Sequence, residues 1–245
     1  MTLPSLTCSK LARLALTMAL ASVLHGATVS GQIELSNSRD SAVKRDRDYS
    51  GVVIWLEPVN EPARCTPARH AQILQKDKKF TPHILPVCLG TTVSFPNLDP
   101  IFHNAFSNFN GKVFDIGLHP PGSSPSTKFD RPGIVRVFCN IHHSMSAVIV
   151  VLDTPYFAET DKRGKYWIPD VPAGEYQLHA FHERTTPENL ARLTRKVSVE
   201  QQAVEEPLIA ISETGYLPVP HKNKYGREYA IRNDEDRPGY SVSPE

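Results

Sequence analysis

The stretch Ile134-Val135-Arg136-Val137-Phe138-Cys139-Asn140-Ile141-His142-His143-Ser144-Met145-Ser146-Ala147-Val148-Ile149-Val150-Val151-Leu152 governs how the rest of the chain is read. Its two ends are rich in β-branched and aromatic residues, the composition of strands. Between them a thiol, an imidazole and a thioether follow at spacings of three, at Cys139, His142 and Met145. A tight loop joining two strands turns all three inward. A soft thiolate, imidazoles and a long, weak thioether bond form the donor set that suits copper in both of its oxidation states. One imidazole is still required.

His103 is the expected source, in Phe95-Pro96-Asn97-Leu98-Asp99-Pro100-Ile101-Phe102-His103-Asn104, where a strand ends and a proline-bounded loop begins. The flanking Phe102 and Phe106 are expected to exclude water, and low dielectric around a metal is one lever on its redox potential. Asn104 is expected to hydrogen-bond across to the loop carrying Cys139. His143 has two readings, a solvent-facing ring without a role or an electron exit and partner contact. His142 keeps the spacing to both Cys139 and Met145, so it is the expected ligand of the two. The alternative for Cys139 is a buried structural thiol; four separately placed ligand types weigh against it.

These residues resemble a known family. Ala71 to Leu152 is similar to the cupredoxins, the plastocyanin, amicyanin and pseudoazurin group, through Pro82 to Gly90 leading into Thr91-Thr92-Val93-Ser94-Phe95, then His103-Asn104, then Cys139, His142 and Met145. The resemblance covers about a third of the chain. It implies a Greek-key sandwich, one type 1 (blue) copper ion held at His103, Cys139, His142 and Met145, and one-electron transfer. The chain departs from small cupredoxins at His143, where they often carry proline.

From Thr28 onward the chain reads as short strands punctuated by 21 Pro and 13 Gly, which makes it an all-β protein. Strands are expected at Thr28 to Leu35, Gly51 to Leu56, Ala71 to Gln75, Thr91 to Phe95, Tyr166 to Ile168, Tyr176 to Phe181 and Arg195 to Val199, besides the two around Cys139. Pro187 to Leu193 allows a helical turn or two. Ser36 to Tyr49 is polar without apolar period and is expected to be a solvated loop. His119, amid Pro and Gly, is expected to be solvated, and His179 and His182 to be surface or packing residues. The tail from Glu213 to Glu245 is either disordered or an extended arm anchored by Tyr216, Tyr225, Tyr229 and Tyr240.

Phe157 to Leu178 contains a hairpin signal at Asp161-Lys162-Arg163-Gly164 and resembles the carboxypeptidase regulatory-like, transthyretin-related β-sandwich. That family's opening strands look like Val29-Ser30-Gly31-Gln32-Ile33 and Gly51 to Leu56, which here precede the copper region. The expected organisation is therefore a discontinuous sandwich, 28–57 plus 153–212, with a cupredoxin domain at 60–152 inserted into it and a tail at 213–245. Such sandwiches commonly serve as structural or interaction modules.

Lys10 and Arg13 ahead of the apolar run Leu14 to Leu24, with Gly26 and Ala27 behind it, give residues 1–26 the zones of a secretory signal, and the run is too short to span a bilayer. Export to the periplasm or beyond is the expected localisation, with no transmembrane segment in the mature chain. In that compartment the odd count of Cys65, Cys88 and Cys139 favours a disulfide between the first two. Lys plus Arg number 27 against 26 Asp plus Glu, which leaves no net field for a nucleic acid backbone. With no hydrolytic triad or phosphate loop, the chain reads as a non-enzymatic electron carrier, the alternative being copper delivery or a structural role. The implied partner is a periplasmic redox protein, a dehydrogenase or a cytochrome, since the chain is similar to methylamine-utilisation proteins.

Overall fold

The computed structural model describes residues 26–108, 111–218 and 220–229; the leader read at 1–26, apart from Gly26, lies outside them, as does Tyr240. Among the described residues the chain is nearly all β, with 42% strand and 5% helix. In chain order the elements are β1 (Ala27–Ser36), α1 (Ser41–Asp46), β2 (Val53–Pro58), β3 (Ala71–Gln72), β4 (Leu74–Lys76), β5 (Lys79–Thr81), β6 (Ile84–Cys88) and β7 (Thr92–Ser94). There follow β8 (Phe106–Ser107), β9 (Phe114–Asp115), β10 (Ser126–Lys128), β11 (Gly133–Phe138), β12 (Ser146–Leu152), β13 (Phe157–Glu159) and β14 (Lys165–Val171). The last are β15 (Gly174–Phe181), α2 (Pro187–Ala191), β16 (Arg195–Val199), β17 (Val204–Glu205) and β18 (Ile209–Ser212).

The run Ala147 to Leu152 shows why the sheets stack as they do. Side chains alternate across a strand, and here both faces are apolar. Ala147, Ile149 and Val151 enter one core with Val93, Phe95, Phe129, Val135 and Val137. Val148, Val150 and Leu152 join Ile84, Val53 and Phe181 in another. A strand buried on both sides reads as a continuous hydrophobic run, and burying each such side chain contributes about 1.5–3 kcal/mol. β12 accordingly sits inside the five-stranded sheet β6-β12-β11-β8-β9. One face of that sheet covers β10-β7-β3 and the β4–β5 hairpin; the other packs on the sheet β13-β2-β15-β16.

β2 repeats the device. Ile54 and Leu56 turn into a third core with Val29, Ile33, Tyr166, Ile168, Leu178 and Ile211, while Val53 faces β12's sheet. The fourth sheet, β14-β1-β17 with β18 also on β1, closes this core. β1 pairs antiparallel with β14, from Val29↔Ile168 to Gln32↔Lys165, and β2 pairs with both β13 and β15. Strands preceding residue 60 are thus completed by strands following residue 152.

Two expectations need correction. Ser36 to Tyr49 is not simply a solvated loop: it holds α1, whose N-cap Asp40 accepts from the N–H groups of Ala42 and Val43. A cap of this kind contributes about 1 kcal/mol, and Val43 anchors the turn in the core around Val29. β6 was not expected. Pro86 stands mid-strand, a position tolerated because β6 is an edge strand, pairing parallel with β12 from Ile84↔Val148 to Cys88↔Leu152. Cys88 at its end is joined to Cys65 as a disulfide, with Cα atoms 5.4 Å apart. The helical turn expected at Pro187 to Leu193 is α2, capped by Thr186. Among the described residues no helix is long and apolar enough to cross a membrane.

Candidate metal centre

Phe138 and Ser146 are the last paired residues of β11 and β12. Beyond them the Cys139 N–H donates to the Met145 carbonyl at 3.2 Å, and the Met145 N–H donates to that of His142 at 3.1 Å. The turn that results sends Cys139 and Met145 into the core with no exposed surface, while His142 is half-buried and His143 exposed. His103 arrives from the other side, held in an isolated bridge to His119 by N–H···O bonds of 3.2 and 2.9 Å.

The three donors converge. Cys139 Sγ lies 3.6 Å from His142 Nδ1 and 3.9 Å from His103 Nδ1, and the ligand atoms of all three residues lie within 4.8 Å of one another. Metal–sulfur and metal–nitrogen bonds of about 2.3 and 2.0 Å, opened to between tetrahedral and trigonal angles, place S and N about 3.5–3.7 Å apart. The donor set and its spacing therefore fit a thiophilic transition ion. Fully buried Met145 is packed in the same core as Cys139.

Burial pushes the Cys139 thiol up from its ordinary range, opposed by the backbone N–H groups of Ile141, His142 and Asn104. Burial likewise pushes His103 down, opposed by its bond to Asp99. A metal must displace the proton of such a thiol, so binding is coupled to proton release.

Asp99 was not singled out from the sequence. Its Oδ2 lies 2.7 Å from His103 Nε2, which directs Nδ1 toward the sulfur. Oδ1 accepts the Asp77 N–H at 2.6 Å and Oδ2 the Lys78 N–H at 2.9 Å. Burial raises the Asp99 pKa, but the Lys78 N–H, His103 and the Asp77 N–H outweigh it and leave the carboxyl below its ordinary value. Asp77 and Lys78 both have φ of +54° at the tip of the β4–β5 hairpin. That turn is of the type whose left-handed pair matches strand twist, and its amides meet a carboxylate.

Three expected roles change. Phe102 is half exposed, so of the two rings flanking His103 only Phe106 is buried, and it packs on Phe138 with centroids 6.1 Å apart. The Asn104 side chain does not reach the Cys139 loop: its Nδ2 donates to Asp115 Oδ1 at 2.8 Å and its Oδ1 is buried without a partner, so its contribution at the sulfur comes from the backbone N–H. His119 is buried rather than solvated; Nδ1 faces the Gly117 carbonyl at 3.1 Å and Nε2 lies 2.7 Å from Gln75 Nε2. Its ring thus ties β4 to the segment whose backbone pairs with His103. His182 is a packing residue, buried on Glu213 at 2.9 Å.

The sequence matches no family model and no curated protein. Among solved structures the chain is similar to a copper-containing nitrite reductase (NirK) from Thermus scotoductus SA-01, at 25% identity and TM-score 0.34, over 39% of this chain and 25% of that one. It is similar to a purple cupredoxin from Nitrosopumilus maritimus, at 26% identity and TM-score 0.31, over 34% of this chain and 99% of that one. The amicyanin of Paracoccus versutus aligns at 17% identity and TM-score 0.33, over 40% of this chain and 97% of that one. The chain thus spans about a quarter of the nitrite reductase's length, and the functional reading is carried by the geometry of His103, Cys139 and His142.

Proposed function

We propose that this chain is an exported type 1 copper protein that carries single electrons between periplasmic redox partners and catalyses no reaction itself. The observation that supports this reading most is the convergence of two imidazole nitrogens on a buried thiol at 3.6 and 3.9 Å. A bound copper ion would supply a one-electron couple. The residues' part is to hold its place: Cys139 as thiolate, His103 and His142 beside it, and Met145 as the weak thioether ligand whose distance tunes potential. Buried, pre-formed donors need little rearrangement between redox states, while half-buried His142 gives an edge toward solvent.

In this reading the cupredoxin domain is 60–152, inserted into a regulatory-like sandwich of 28–57 plus 153–212. The support is that β1 pairs with β14 and β2 with β13 and β15. The second sandwich is an interaction module for a dehydrogenase or cytochrome. Repeated reduction and oxidation of the copper-loaded protein tests the carrier reading: it predicts cycling without copper loss. Release of copper on each cycle would assign the site to delivery instead.

A further inference from the structure

We infer that residues 221–229 form a strap that holds the Cys139–Met145 loop in its ligating shape before metal arrives, with Tyr229 as its anchoring positioning residue. This rests on the proposed metal site only for the identity of what the loop holds. The segment is reached from Glu213, which is buried on His182 and Arg184 beside the sheets of the second sandwich, and it ends on the loop at the edge of the first.

Its own order comes from Asn223. The Asn223 side-chain oxygen accepts the N–H groups of Tyr225 and Arg227, and its backbone exchanges bonds with Arg227 and Gly226. Gly226, at φ +74°, supplies the left-handed residue that this turn requires. The turn then presents several groups to the site at once. The Tyr229 hydroxyl donates to the Cys139 carbonyl at 2.7 Å. The Lys224 N–H donates to Asn140 Oδ1 at 2.9 Å. His221 Nε2 lies 2.7 Å from the His143 carbonyl, so it is the donor there, and its ring stacks on Phe138 at 4.0 Å between centroids. Lys224 Nζ reaches Asp115 Oδ2 at 2.7 Å, and the other oxygen of Asp115 accepts from Asn104, next to His103. One short segment therefore touches four positions of the loop region, 138 to 140 and 143, and reaches through Asp115 to the neighbour of the opposite ligand.

A seven-residue turn between strands has few internal bonds of its own; here the backbone pairs are those between Cys139, His142 and Met145. External anchors on its carbonyls are what make one shape dominate, and pre-organised ligands are held with less entropy to lose on binding. Tyr229 is half-buried and its hydroxyl acts on the backbone of Cys139 rather than on the sulfur, so its effect is on loop shape.

The test is amide hydrogen exchange on the metal-free full-length chain, comparing wild type, Tyr229→Phe and Tyr229→Phe/Lys224→Ala, with Glu228→Gln as the control on the exposed side of the strap. Exchange at Ile141, His142 and Met145 is expected to quicken about three- to tenfold for the lost hydroxyl bond, with Val135 and Val150 and the melting temperature unchanged. A second readout is transfer of Cu(I) to an excess of chelator, expected to run about 10–100-fold faster in the double variant, alongside a shifted thiolate-to-copper band in the Cu(II) form. Unchanged loop exchange in the double variant would overturn the strap, as would equal quickening throughout both sandwiches. If wild type takes up no copper, the metal reading fails while the exchange result still decides the strap.

Discussion

The Nε2 of His103 and the Oδ2 of Asp99 lie 2.7 Å apart in a site closed to solvent, and the carboxylate's remaining capacity is filled by the amides of a hairpin tip. The pair fixes the ring's tautomer and orientation, as a carboxylate on the outer nitrogen of a metal-ligating histidine does generally. Asp99→Asn keeps the shape but replaces the charge that accepts both turn amides. Copper affinity is expected to fall about 10–100-fold, measured by competition with a calibrated chelator. An affinity equal to wild type would remove Asp99 from any role at the metal.

The adjacent histidines separate cleanly. His142 Nδ1 faces the sulfur at 3.6 Å, whereas the His143 side chain is exposed. His142→Ala is expected to abolish the thiolate-to-copper absorption, and His143→Ala to leave its energy and intensity in place. The reverse pattern in visible spectra would shift the ligand by one residue.

The two outer cores carry stability of different consequence. Leu178, fully buried between β15 and the core of β1 and β14, is remote in the fold from the Cys139 loop. Leu178→Ala is expected to cost about 2–5 kcal/mol in urea unfolding without altering the copper spectrum of the folded protein. A changed spectrum at full folding would mean that the second sandwich shapes the site directly.

His83, just before β6, reaches Glu183, just after β15, at 2.8 Å, and its other nitrogen meets the Ser146 carbonyl at 2.9 Å. The bond to Glu183 raises the His83 pKa above 6.5, against burial. Burial raises Glu183, but His83 and Arg184 together leave it below 4.5. A raised histidine stabilises fully below its unfolded value and loses that as pH rises through its folded value; a depressed carboxylate behaves in the mirror sense. The pair's contribution is therefore complete between pH 4.5 and 6.5 and fades on either side. The melting temperature gap between wild type and His83→Gln is expected to be widest in that window and to narrow toward pH 9. A gap constant from pH 5 to 9 would show that only the Ser146 bond matters. With His83 44% exposed at its side chain, the electrostatic part is modest.

The sequence made the loop readable because Cys139, His142 and Met145 are close neighbours in the chain, and their flanking strands are apolar throughout. His103 was readable from its resemblance-bearing context. Asp99 and His119 were not, because their roles arise from tertiary contact; an arm anchored by Tyr229 was one of two readings of the tail, but its target was hidden, since the Tyr229 hydroxyl meets a carbonyl 90 residues away. β6 was hidden by Pro86, whose meaning depends on being at a sheet edge, and α1 by having a single apolar anchor, Val43. The pairing of β1 and β2 across the intervening region follows the hairpin and strand patterns that the sequence does display.

The most direct measurement is the visible absorption and EPR spectrum of the mature protein with one equivalent of Cu(II), beside Cys139→Ser. The account predicts an intense thiolate-to-copper band with narrow hyperfine splitting in wild type and its loss in the variant. A wild-type spectrum without that band, or one that Cys139→Ser leaves unchanged, would contradict a blue copper site at His103, Cys139, His142 and Met145.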